Sequence, residues 1–129
     1  MSHFTTVETQ IKNLVILKRA LKKLGFKIKE GVTHVRGYRN EVIEADLVID
    51  TKSSIDIGIK KTGDVYSFVC DWENLETHAG IDQKTFMKKI LKEYAYENVM
   101  EQIKQKGYVV DEEKVDEKQQ IHIRIGKWG

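Results

Sequence analysis

The chain has 129 residues, a formal net charge of +2, 40% hydrophobic residues and 33% charged residues. This composition is typical of a globular domain and excludes a disordered chain, and the length predicts one domain over residues 1–129. No apolar run approaches the roughly 20 residues that cross a bilayer. The amino terminus lacks a basic start followed by an apolar stretch, so we expect no signal peptide and no membrane association.

The charges are unevenly distributed along the chain. Residues 1–40 hold nine basic and two acidic side chains, whereas residues 41–81 hold three basic and nine acidic ones. Residues 82–129 are nearly balanced. Such asymmetry indicates either a binding face or two segments that neutralise each other.

The first half of the chain predicts a strand, a helix and further strands. Residues 2–8 favour extended structure, and Thr9 is placed to cap a helix that ends at Gly25. Apolar residues at spacings of three and four give that helix one buried stripe. Residues 26–30 predict a second strand, residues 32–38 a short strand or ordered loop, and residues 42–50 a further strand.

The strongest local pattern lies between residues 55 and 71. Three isoleucines alternate with polar or small residues, and a Thr62-Gly63-Asp64 turn precedes a second extended run, which predicts a β-hairpin. Residues 72–81 are expected to form a loop, followed by a long helix capped by Asp82 and ended by Gly107. Residues 108–110 and 119–125 predict two strands around an acidic turn over residues 111–117.

These elements predict an α+β fold with one mostly antiparallel sheet and two helices packed on one face. Each helix has one apolar stripe, so each can cover a sheet but cannot lie between two sheets. The residues around Gly25 and Gly107 resemble each other, which suggests duplicated β-α-β-β units. We therefore expect the opposite face of the sheet to be open and available to a partner.

No motif in the sequence indicates catalysis or a bound cofactor. The four histidines are far apart, and the chain has no zinc-binding, calcium-loop, P-loop, dinucleotide-binding or nucleophile-elbow pattern. The single cysteine, Cys70, lies among apolar residues and is expected to be a buried, inert thiol. The sequence therefore names no catalytic, cofactor-binding or metal residues, predicts no cofactor, and favours a protein that is not an enzyme.

The leading hypothesis is an accessory protein that binds another protein through the open sheet face or an aromatic edge. Exposed aromatic rings with a polar tip suit such interfaces. The candidate interface residues are Tyr96, Trp128, His122 and Trp72.

Two alternatives remain open. A nucleic-acid-binding module would use the basic amino-terminal segment to neutralise phosphates, with Lys22, Lys27, Lys29, Arg36 and Arg39 as candidate contacts. A small-ligand binder or an enzyme would need a pocket that the sequence does not reveal.

Four segments together resemble a known family. They are the amino-terminal residues 1–4, the helix end at residues 24–26, the Glu93-Tyr94-Ala95-Tyr96 segment and the closing Lys127-Trp128. In this order and spacing they are similar to the plastid reading frame called Ycf thirty-five, the domain of unknown function numbered twelve fifty-seven. The resemblance implies a small protein of the bacterial cytoplasm, or of the plastid stroma if plastid-encoded, with no assigned activity.

Overall fold

The computed structural model describes residues 3–30 and 34–127. Its contacts divide the chain into two compact units, residues 1–94 and 95–129, with the boundary inside the last helix. The strands are β1 (Thr5–Glu8), β2 (Lys27–Lys29), β3 (His34–Arg36), β4 (Val42–Glu44), β5 (Leu47–Asp50), β6 (Ile57–Thr62), β7 (Val65–Cys70), β8 (Tyr108–Val115) and β9 (Ile121–Lys127). The helices are α1 (Leu14–Lys23), α2 (Trp72–Ala79) and α3 (Gln83–Gln105), with a short 3₁₀ turn at Tyr38–Asn40.

The first unit is built on a five-stranded antiparallel sheet in the order β1-β7-β6-β5-β2. This confirms the predicted α+β class and the mostly antiparallel sheet. The predicted hairpin is present as β6 and β7, and Gly63 has the positive φ of 66° that its tight turn requires. The order leaves β1 and β2 as the two edge strands.

All three helices contribute to one apolar core on a single face of this sheet. Large side chains from α1, α2 and the first turns of α3 pack with every second residue of the central strands. Each such side chain stabilises the fold by roughly 1.5–3 kcal/mol on burial. The fully buried members include Leu17, Leu21, Leu75, Ile90, Ile49, Ile57, Ile59 and Phe68.

The opposite face of the sheet is covered at its centre, so the expectation of an open face was wrong. Strands β3 and β4 form a separate two-stranded ribbon, and Val35 of this ribbon is buried in a second small cluster with Ala45 and Val48. Gly58 lies beneath the ribbon, where a Cβ atom would collide with Val35 and come within 3.0 Å of the Ala45 Cβ. Residues 55–59 are therefore buried on both faces of the sheet, and the lack of a side chain at Gly58 leaves space for the ribbon.

Several predicted boundaries also change. The helix α1 is capped by Asn13, whose side chain accepts a hydrogen bond from the Ile16 amide, and Thr9 instead donates to the Tyr66 carbonyl. Residues 42–50 form two strands, since the chain leaves the ribbon and enters the sheet near Ala45. Residues 72–81 contain the helix α2 where a loop was expected.

The second unit contains the end of α3 and the antiparallel pair β8–β9. Most of the acidic segment 111–117 lies in β8, so the turn is shorter than expected and centres on residues 116–120. The similarity predicted between the residues around Gly25 and Gly107 is present: each glycine follows a helix, has a positive φ and is followed by an aromatic residue and a strand. The strands that follow the two glycines pair differently, because β2 pairs with β5 whereas β8 pairs with β9.

An ion pair with a buried carboxylate joins the ribbon to the start of β6. Asp56 is 1% exposed and accepts two hydrogen bonds from the Arg36 guanidinium at 2.8 and 2.9 Å, and a third from the Arg36 amide. Lys29 of the edge strand approaches the same carboxylate at 3.5 Å. Burial acts to raise the pKa of Asp56, but hydrogen bonds and charge from Arg36 outweigh it and hold that pKa below its usual range.

Replacing Gly58 with alanine tests the covered face. We expect the variant to lose about 2 kcal/mol of unfolding free energy or more, because the added methyl group overpacks the contact with Val35. Chemical denaturation measures this, with Lys60→Ala as the control on the exposed end of the same strand. Equal stability of the two variants would contradict a ribbon seated on the sheet.

Asp56→Asn tests the ion pair and its pH dependence. The substitution removes charge-assisted hydrogen bonds, so we expect a loss of about 2 kcal/mol at neutral pH. The pKa of Asp56 is lower in the folded state than in the unfolded state. Its stabilising effect is therefore fully present above the ordinary carboxylate pKa and is lost as the pH falls through the pKa of the folded state.

The difference in unfolding free energy between the wild type and Asp56→Asn should therefore be largest near pH 7 and narrow as the pH falls to 3. Asp64→Asn is the matched control, because that exposed carboxylate only approaches Lys12 at 3.9 Å and should change stability little. A constant gap between the wild type and Asp56→Asn across this range would contradict the assigned role.

Candidate interaction groove

The first unit has an open groove lined by α2, the start of α3 and the edge strand β1. Its volume is about 880 Å³. Trp72 and Met87 contribute nearly buried side chains, Leu91 is 41% exposed, and Val7 comes from β1. These four side chains give the groove an apolar floor, and we call it the α2–α3 groove.

Local sequence explains why α2 forms one wall. The buried Asp71 caps its first turn by accepting hydrogen bonds from the Asn74 amide and side chain. Gly80 ends it in the left-handed conformation, with φ of 68°. Leu75 anchors the helix in the core and leaves Glu73 and Glu76 on the rim of the groove.

The two walls of the groove carry opposite charges. Glu73 and Glu76 are exposed on α2, whereas Lys84 and Lys88 are exposed on α3. None of the four side chains forms an ion pair with another of the described residues. Asp82 also lines the groove at the start of α3, where its carboxylate accepts hydrogen bonds from Thr85 and interacts electrostatically with Lys84. The groove therefore presents an apolar lining between two glutamates on α2 and a mainly basic side on α3.

The indole Nε1 of Trp72, a residue that lines the groove, is a buried hydrogen-bond donor. Trp72 is 5% exposed, and its Nε1 has no acceptor among the residues that the structure describes. A buried donor without a partner costs about 1–3 kcal/mol. The Nε1 atom is itself shielded from solvent, so the groove is in contact with the apolar part of this side chain.

The tip of the β3–β4 ribbon rests on α2. Tyr38 stacks on His78 with ring centroids 5.7 Å apart, and its amide donates to the same Asp71 that caps α2. The next two residues, Arg39 and Asn40, have positive φ angles of 57° and 64°. This contact couples the ribbon to the wall of the groove, because one carboxylate serves both elements.

The candidate interface residues lie in different places. Trp72 is in the first unit on the groove floor, so it is a groove residue and not part of an exposed loop. In the second unit, the Tyr96 hydroxyl donates to Glu113 at 2.9 Å, and the exposed His122 lies 2.7 Å from Asp116. Trp128 lies outside the described residues. A role in binding remains a prediction for all four.

The basic candidates for nucleic-acid contact are partly engaged inside the protein. Arg36 and Lys29 face Asp56, and Arg39 lies over the Tyr38 ring at 5.3 Å. Lys22 and Lys27 are exposed. Part of the charge asymmetry is thus internal complementarity between the basic amino-terminal segment and the acidic segment that follows it.

Other side chains offer little for chemistry. Cys70 is fully buried, and burial raises the pKa of its thiol far above the ordinary value, so it is a poor nucleophile at neutral pH. Among residues 3–30 and 34–127, no three histidine, cysteine or acidic side chains converge as metal ligands would. Within the same ranges, no helix is long and apolar enough to span a membrane.

Sequence reasoning missed the groove because it missed α2. The signals were present: Asp71 and Asn74 form a capping pair, Leu75 follows Trp72 at helical spacing, and Gly80 is a helix terminator. Leu91 follows Met87 by one helical turn on α3 and is 41% exposed. Only the packing of the two helices shows that these side chains share one surface.

Comparison with known proteins gives a family and no activity. The family model described as "Protein of unknown function (DUF1257)" matches residues 20–124. The "Uncharacterized protein ycf35" of Cyanophora paradoxa is 29% identical over 99% of this chain and 98% of its own length, and that of Guillardia theta is 28% identical with the same coverage. The Trieres chinensis protein of that name is 31% identical over 84% of each chain.

No solved structure matches the chain. The family match covers most of the chain, and the relatives align along nearly their whole length. The chain belongs to the DUF1257 family.

Proposed function

We propose that this chain is a non-enzymatic accessory protein whose work is to bind another protein, and that the α2–α3 groove is the binding surface. The observation that carries the proposal is an apolar lining flanked by two glutamates on α2 and by the lysines at the start of α3. Protein interfaces commonly have such an apolar centre with a polar rim. The groove replaces the open sheet face as the proposed binding surface, because the β3–β4 ribbon covers the centre of that face.

The groove also favours a protein partner over the alternatives. A small molecule is usually held in a concave site that encloses most of its surface, with a few converging polar groups, whereas this groove is open and its charged groups stand on the rim. Acidic side chains on one wall would repel a nucleic-acid backbone. A protein segment can match both walls at once.

Leu91→Glu tests the groove, since it places a charge on the floor at an exposed position. We expect a partner captured from cell extract in stoichiometric amount by the wild type to bind the purified variant at least about tenfold more weakly, because one central apolar contact is lost. Val15→Glu is the matched control, being an equally apolar residue that is 66% exposed on α1.

Binding is measured by titration calorimetry with the purified partner, and circular dichroism with thermal melting checks that both variants are folded. Equal affinity of the wild type and Leu91→Glu, or equal loss in Val15→Glu, would contradict the proposal.

We propose that the protein acts in the cytoplasm, or in the plastid stroma if it is plastid-encoded. The single buried thiol supports a reducing compartment, because extracellular domains more often carry paired cysteines.

A further inference from the structure

The two edge strands of the five-stranded sheet differ in sequence, and the difference concerns how readily each edge accepts a further strand. Edge strands expose unpaired amide and carbonyl groups, and proteins commonly guard such edges with lysine. The β2 edge reads Lys27-Ile28-Lys29, whereas the β1 edge reads Thr5-Thr6-Val7-Glu8 with no lysine and no proline. The β1 strand carries one charged residue, Glu8, and no lysine, so it is the less protected of the two edges.

The same strand borders the α2–α3 groove. Val7 pairs with Phe68, whose side chain is in the core on the helix-covered face, and Val7 itself lines the groove. No other strand among residues 3–30 and 34–127 pairs with the outer side of β1. A strand added there would have one row of side chains on the same face as Val7, directed toward the groove.

We propose that the partner contributes an extended segment that pairs with β1 as a sixth strand of the sheet and fills the α2–α3 groove with alternate side chains. This inference rests on the proposed function and specifies the bound segment. Addition of a strand to an exposed sheet edge is a general mode of peptide recognition, in which backbone hydrogen bonds supply affinity and pockets for alternate side chains supply specificity.

The walls of the groove specify the chemistry of the segment. Side chains that face Trp72, Met87 and Leu91 are apolar, because those residues form the floor. A lysine or arginine of the segment lies against Glu73 and Glu76, and an acidic residue lies against Lys84 and Lys88.

An amphipathic helix is the competing occupant and is the weaker fit. A helix satisfies its own backbone hydrogen bonds, so it would leave the outer amide and carbonyl groups of β1 without protein partners. The two occupants can be separated by experiment, because only the extended segment depends on backbone hydrogen bonds to β1.

The test uses random 12-residue peptides displayed on phage, selected on the full-length wild type after depletion on Leu91→Glu. We expect the enriched sequences to alternate apolar and polar residues and to include a basic residue. The best peptide is then synthesised in two further forms, each N-methylated at one of two adjacent central residues. In a strand, only alternate residues direct their amide toward a given neighbour.

Titration calorimetry should show that one N-methyl peptide binds at least about tenfold more weakly than the parent, while the other stays within about threefold. If N-methylation at the two positions changes the affinity equally, or if the bound peptide is helical by circular dichroism, the strand pairing is overturned. The proposed groove is unaffected by either result. Failure to obtain any peptide whose binding depends on Leu91 overturns the groove itself, and the strand pairing with it.

Discussion

The packing of the sheet around Gly58 constrains the rest of the first unit. In an antiparallel sheet successive side chains point to opposite faces, so a strand buried on both sides must satisfy two sets of neighbours. The helices take the face of Ile57 and Ile59, and the ribbon takes the other face, where Gly58 provides the space and Asp56 provides the charge for Arg36. Both faces of the central strands are therefore covered at their middle, and the end of β6 from Lys60 to Thr62 is exposed.

The surface proposed for binding therefore lies at an edge of the five-stranded sheet. The helix α2 follows directly from β7, and its capping residue Asp71 also receives the amide of Tyr38 at the ribbon tip. This shared carboxylate holds α2 in place beside α3, and the space between the two helices opens toward β1. The proposed binding surface is thus a consequence of how the second face of the sheet is covered.

Much of the fold was predictable because its signals are local. The alternation of three isoleucines and the Thr62-Gly63-Asp64 turn predicted the β6–β7 hairpin correctly. Helix ends at Gly25 and Gly107 were also predicted, since a glycine with positive φ is a common terminator. The family resemblance was confirmed by the match over residues 20–124.

The remainder depended on contacts between distant residues. Val35 and Gly58 are far apart in sequence, and no local pattern shows that one lies over the other. The same holds for Asp56, which looks like the polar residue of an alternating strand and is instead a buried partner of Arg36. The groove was missed for a simpler reason, because the polar composition of residues 72–81 favoured a loop over a short capped helix.

The central claim is that a partner segment pairs with the free edge of β1. Amide hydrogen exchange at Thr5–Glu8, measured residue by residue with and without a saturating bound peptide, tests it most directly. Because a new strand would bond to the outward amides, we predict at least about tenfold slower exchange at alternate residues of β1, and little change at Lys27–Lys29 on the other edge. Exchange at β1 that is unchanged while the groove is occupied would contradict the account.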